Sequence, residues 1–197
     1  NAMNNYAMML YNGDGIEEDK KAASLYYKNA SEKGNLNSKY KYSQMLFNGD
    51  GVEEDKIEAV KLLKEAADKD LIIAINSYAS MLQNGNGIQM NKKEAVEYYK
   101  KGIAKGSAKS MYEYAMMLYK GDGIPKNKKE AFKLFKDAAD KEDIESMFNY
   151  GMMLYKGDEI TMNINKAAEY FKKAADKGEV NAMNRYGMML KNGDGVQ

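Results

Sequence analysis

The stretch Ser110-Met-Tyr-Glu-Tyr-Ala-Met-Met-Leu-Tyr-Lys-Gly-Asp-Gly-Ile124 decides how this chain folds. Residues 110–120 contain no helix breaker and set Met111, Tyr114, Ala115 and Leu118 at helical spacing, which predicts an amphipathic helix. Gly121 ends it, because glycine enters the left-handed conformation that closes a helix C-terminus without a Cβ clash. Gly121-Asp-Gly-Ile124 then reads as a turn with an apolar plug at its end. Beyond the turn, Asn127 with Glu130 three positions on has the spacing of a helix cap. The second helix it opens carries its own stripe: Ala131, Leu134, Phe135, Ala138 and Ala139.

The same text recurs on both sides. Tyr6, Tyr42, Tyr78, Tyr114, Tyr150 and Tyr186 are spaced by 36 residues without insertion or deletion. Methionine follows at Met9, Met45, Met81, Met117, Met153 and Met189, and leucine comes directly after each. The turn glycines Gly13, Gly49, Gly85, Gly121, Gly157 and Gly193 keep the same period. Asp19, Asp55, Asn91, Asn127 and Asn163 cap the second helices, and lysines 28, 64, 100, 136 and 172 fall between apolar positions, where solvation is expected. A helical hairpin of this length buries its apolar face only by stacking on its neighbours, so the period predicts an α-solenoid.

The expected architecture is all-α: a right-handed superhelix of antiparallel helix pairs with a period of 36 residues and five and a half repeats. It implies eleven helices of roughly 10–15 residues and no strand. The chain reads as a single solenoid domain over 1–197, phased 2–37, 38–73, 74–109, 110–145, 146–181 and a half repeat 182–197. Ending in mid-repeat, it is expected to be part of a longer chain.

Three copies depart from the pattern. Glu159 stands where Gly15, Gly51, Gly87, Gly123 and Gly195 stand elsewhere, and Asp70 and Glu142 replace the glycine that ends the second helix. If glycine is used there at positive φ, glutamate must accept strain of about 1 kcal/mol or more, or remodel the turn. The expectation is that residues 157–163 depart from the other loops.

Composition removes most chemistry. Cysteine and histidine are both absent, so disulfides, thiolate sites, histidine ligands and serine–histidine triads are excluded. Lysine plus arginine (30) balances aspartate plus glutamate (29) without a basic stripe, which argues against nucleic acid. No apolar run is long enough to span a membrane and no signal-peptide core is visible, so no membrane insertion is expected and a cytoplasmic location is. Asn12, Asp14 and Asp19 offer oxygen ligands, yet turn and cap chemistry accounts for each, so neither metal nor cofactor is expected. No enzyme site emerges.

Asn181-Ala-Met-Asn-Arg-Tyr-Gly-Met-Met-Leu-Lys-Asn-Gly-Asp-Gly-Val196 resembles the first half of a Sel-like repeat, and Lys129-Glu-Ala-Phe-Lys-Leu-Phe-Lys-Asp-Ala-Ala-Asp-Lys141 its second half. The resemblance covers the whole chain. It implies a relative of the tetratricopeptide repeat that serves as a scaffold or adaptor in protein assemblies, with protein or peptide as partner. A regulatory or targeting segment of a larger enzyme, such as a protein kinase, is the alternative it leaves open. The motif residues of this family are framework residues, so the resemblance names no binding site.

Invariant columns point to packing, and variable columns on a shared face point to recognition. Positions −2, +2 and +5 from each invariant tyrosine lie together on the first helix at about 100° per residue. By analogy with tetratricopeptide relatives this face looks into a concave groove. The face is polar in copy three (Asn76, Ser80, Gln83) and richest in aromatics and methionine in copies four and five, with two aromatics in copy two. The candidate partner-binding residues are therefore Tyr40, Phe47, Tyr112, Met116, Tyr119, Phe148, Met152 and Tyr155, unless they pack between adjacent first helices.

Overall fold

The computed structural model of the chain describes residues 2–157 and 159–195. Those residues form eleven α-helices and no strand. First helices of the repeats are α1 (Ala2–Asn12), α3 (Leu36–Asn48), α5 (Ile72–Asn84), α7 (Ala108–Lys120), α9 (Ile144–Lys156) and α11 (Val180–Asn192). Second helices are α2 (Lys20–Glu32), α4 (Lys56–Asp68), α6 (Lys92–Ala104), α8 (Lys128–Ala139) and α10 (Ile164–Asp176). The chain gathers into two compact units, Asn1–Tyr98 and Tyr99–Gln197, with the boundary inside α6. In the first unit α1 to α5 pack in sequential pairs; in the second, α7 to α11 do the same.

One hydrogen-bond scheme builds every hairpin. The first turn glycine takes φ between 65° and 74° at Gly49, Gly85, Gly121, Gly157 and Gly193 and donates its N–H to a carbonyl of the methionine column where that bond is resolved, as at Met45, Met117 and Met153. The cap residue of the second helix then accepts from the N–H three positions on, at 3.0 Å for Asp55 to Glu58 and 3.1 Å for Asn127 to Glu130. Its own N–H donates back to the invariant leucine: Asp19 to Leu10, Asp55 to Leu46, Asn91 to Leu82, Asn127 to Leu118 and Asn163 to Leu154, all at 2.8–2.9 Å. That occupies the donor a capping-box glutamate would take, so Glu94 and Glu130 accept instead from the side-chain amides of Asn91 and Asn127 (3.0 and 2.9 Å).

The invariant columns are framework. Tyr78, Tyr114, Tyr150, Met45, Met117, Met153, Leu118 and Leu154 are buried. In α11, which packs on α10 but is followed by no second helix among the described residues, Leu190 of the same column is 52% exposed while Leu154 is 4% exposed. Burial here comes from the next helix in the stack, as a solenoid requires.

The expected departure at 157–163 is corrected. Glu159 keeps a positive φ of 60°, close to the 72° of Gly51, and the flanking Gly157 cap and the Asn163-to-Leu154 bond match the other copies. Residue 158 lies outside the described residues. Asp70 and Glu142 likewise hold φ 67° in the place of Gly34 and Gly106, and the helix-ending bonds persist: Leu71 N–H to Ala66 at 3.1 Å and Asp143 N–H to Ala138 at 3.1 Å. The repeated scheme of bonds over-determines the backbone, so these residues carry the left-handed conformation rather than rebuild the turn. Glu159 also gains a partner, with its carboxylate 3.5 Å from Lys128 of the preceding second helix.

The interleaved lysines are not merely solvated. Lys64 donates to the Tyr98 oxygen at 3.1 Å, Tyr98 donates to Asp68 at 2.6 Å, and Lys64 lies 5.7 Å from the centres of the Tyr78 and Tyr98 rings. In the second unit Lys136 and Tyr170 both donate to the carboxylate of Asp140, at 2.6 and 3.3 Å. Burial first, and then the bond to Asp68, push the Tyr98 phenol up to about 12, and the bond to Tyr98 raises the Lys64 ammonium as well. A pKa above the ordinary phenol value of about 10 means that the fold favours the neutral form. Its contribution is therefore complete below pH ~10 and is lost as pH rises toward about 12. The stability difference between wild type and Tyr98→Phe, followed by urea unfolding across that range, should be constant below the window and shrink within it.

Candidate functional site

The variable face of the first helices is half-buried rather than open. In the second unit Tyr112, Met116, Tyr119, Phe148, Met152 and Tyr155 all keep part of their surface in solvent. Three of the four rings rest on a buried aromatic neighbour. Tyr112 lies 6.1 Å from buried Phe135, while Phe148 and Tyr155 lie 5.8 and 6.4 Å from buried Phe171. Lys109 stands over Tyr112 at 5.0 Å and Lys128 over Tyr119 at 5.9 Å. Burial raises the Tyr112 phenol, so it stays neutral and able to donate at physiological pH. Tyr112, Tyr119 and Tyr155 thus present only part of each side chain to solvent, because the second helix of each hairpin covers one side of the ring.

In the first unit the two predicted residues part company. Tyr40 is buried, with its hydroxyl 3.3 Å from Ser77 and accepting from Gln44 at 3.0 Å. Phe47 is half-buried, its ring edge laid on the backbone of Gly87, where an added Cβ would come within 2.4 Å. Between them opens a cavity of about 260 Å³, walled by Tyr40, Gln44, Phe47, Leu63, Ser77 and Asn86 among others.

The joint one repeat earlier is closed by a network that the sequence reading missed. Tyr11 donates to Asp50 at 2.6 Å, Lys20 pairs with the other oxygen of Asp50 at 3.1 Å, and Lys20 sits 5.4 Å from the centre of the Tyr11 ring. The bond from Tyr11 and then that from Lys20 hold the Asp50 carboxyl below its usual range, and the bond to Asp50 raises the Tyr11 phenol. Asp50 holds the turn position that Asp122 holds in the fourth copy. Its spacing of 39 residues from Tyr11, beyond one period, was the available signal.

The turn acids serve structure: Asn12 donates to Asp14 at 3.0 Å and Asp19 caps α2. Among the described residues no cluster of three or more acidic side chains is placed to hold a metal ion, and no helix is long and apolar enough to cross a membrane.

Stacked helical hairpins with one repeated bond scheme define an all-α helical-repeat solenoid protein. The Sel1 repeat model matches residues 1–35, 37–71, 72–107, 108–143, 144–179 and 180–197, and the chain belongs to the Sel1 repeat family. Proteins of this family are generally scaffolds for protein–protein interaction. A Sel1 repeat protein from Oxalobacter formigenes is 26% identical, with a TM-score of 0.90 over 95% of this chain and 76% of that one. The c5321 protective antigen of uropathogenic Escherichia coli, with an SLR fold, is also 26% identical at a TM-score of 0.91. That alignment takes in 98% of this chain but only 41% of that one. The immunity protein Pa5087 of Pseudomonas aeruginosa, 20% identical with a TM-score of 0.59 over 92% of this chain and 67% of that one, shares the fold alone. No curated protein sequence matches the chain.

Proposed function

We propose that the protein is a non-catalytic interaction scaffold whose first-helix face grips a peptide or a segment of a partner protein. The supporting observation is the face of the second unit, where Tyr112, Met116, Tyr119, Phe148, Met152 and Tyr155 recur at equivalent positions of α7 and α9. Aromatic rings already immobilised on Phe135 and Phe171 offer buried area to a partner at little further cost in entropy. Methionine adapts to irregular surfaces beside them. With a net charge of +1, steering by long-range charge is weak, and affinity should respond little to salt.

A random peptide library selected on the wild-type protein supplies the probe. The selected peptide should lose about 1–3 kcal/mol of affinity on Tyr119→Ala and on Tyr155→Ala, with helicity retained. Undiminished binding to both variants, or loss of folding in place of loss of binding, returns these residues to the framework and ends the reading.

A further inference from the structure

The repeat joint between α3, α4 and α5 differs from its neighbours at three aligned positions that meet in space. Phe47 replaces Tyr11, Asn86 replaces Asp50, and Leu63 stands where Tyr27, Tyr99, Phe135 and Phe171 fill the core. The first two changes remove the phenol and the carboxylate that close the preceding joint, and both are lost together. The third withdraws an aromatic ring from the interior. The cavity of about 260 Å³ lies at this joint, with all three residues in its wall.

Its lining is chemically specific. No carboxylate, ammonium or guanidinium contributes to it; Lys56, the counterpart of Lys20, lies 5.7 Å from the centre of the Phe47 ring but outside the wall, with its charge paired to Glu54 at 3.1 Å. The polar groups are amides and hydroxyls, among them Gln44, Asn86, Tyr40 and Ser77, which together donate and accept. Leu63 and Phe47 supply apolar wall. An ion entering would lose hydration without a counter-charge, and a purely apolar group would strip water from the amides without replacing it. A short apolar stem ending in a group that both donates and accepts satisfies both kinds of wall. We propose that this pocket receives a carboxamide side chain, glutamine or asparagine, from a bound peptide segment. The inference rests on the peptide-binding reading for the source of that side chain.

The pocket can be tested apart from the aromatic face. N-acetyl-glutamine methylamide, N-acetyl-glutamate methylamide and N-acetyl-norleucine methylamide are titrated separately into the ¹⁵N-labelled full chain, following the side-chain amide signals of Gln44 and Asn86. The expected result is saturable shifts with the glutamine probe and binding about tenfold weaker or worse with the other two. The double variant Phe47→Tyr, Asn86→Asp installs the pair that closes the first joint, so it should keep the helical spectrum and lose the glutamine response. No saturable shift with the glutamine probe, equal response to glutamate or norleucine, or an undiminished response in the folded double variant overturns the proposal. Should the variant not fold, the ranking of the three probes on the wild type decides alone. None of these outcomes touches Tyr119 and Tyr155, whose peptide test stands or falls separately.

Discussion

Gly51→Ala should destabilise the first unit by roughly 2–5 kcal/mol, whereas Gly15→Ala, the same residue type in the same turn, should cost only about 1–2 kcal/mol. Both glycines sit at positive φ, 72° and 74°, so both substitutions meet the left-handed penalty. Only Gly51 has a neighbour. A Cβ there would lie 2.4 Å from the carbonyl oxygen and 2.5 Å from the carbonyl carbon of Lys20, while nothing stands within 4 Å of one at Gly15. The obstacle is backbone at the start of α2, hydrogen-bonded into a helix and closed over by the Lys20–Asp50 pair, so it cannot rotate away as a side chain would. Urea unfolding of the full chain, followed by helical circular dichroism, reads both costs. Equal costs for the two variants would show that the close approach of the turn to the preceding helix contributes nothing.

Phe171→Ala should cost the second unit about 3–5 kcal/mol, the usual range for emptying a fully buried aromatic site. Phe171 is wholly buried, and its ring edge lies against Gly151, where an added Cβ would come within 2.9 Å. Glycine cannot move in to fill the void, so most of the cavity should persist. The same ring supports Phe148 and Tyr155, so the variant should also weaken a peptide selected on the wild type. The two effects separate by temperature and denaturant: the affinity loss is measured well below the unfolding midpoint, where the helices remain formed. A shift in stability below about 1 kcal/mol would mean that neighbouring side chains collapse into the space.

The sequence made the framework legible because each hairpin is a local structure. Gly121, Asn127 and the stripe around Tyr114 act within a few residues of one another, and the period repeats the message. The candidate site was legible only in part. Spacing placed Tyr40 and Phe47 on one face, but the structure buries Tyr40 against Ser77, a residue one repeat away. Helical periodicity reports the side of a helix a residue occupies and says nothing of the depth to which the next helix covers it.

Glu159 marks the same division. The sequence showed that glycine was missing; whether the backbone or the residue would yield depended on the bonds around it. Gly157, Leu154 and Asn163 hold the turn, and Glu159 takes the left-handed conformation with Lys128 beside it. The sequence by itself determined helix, turn, cap, period and family, all properties of a single unit read along the chain. Only the tertiary structure decided which joints close and which stay open. Tyr11 and Asp50, or Phe47, Leu63 and Asn86, meet across consecutive repeats, where the distance between side chains is set by packing and not by their separation in the chain.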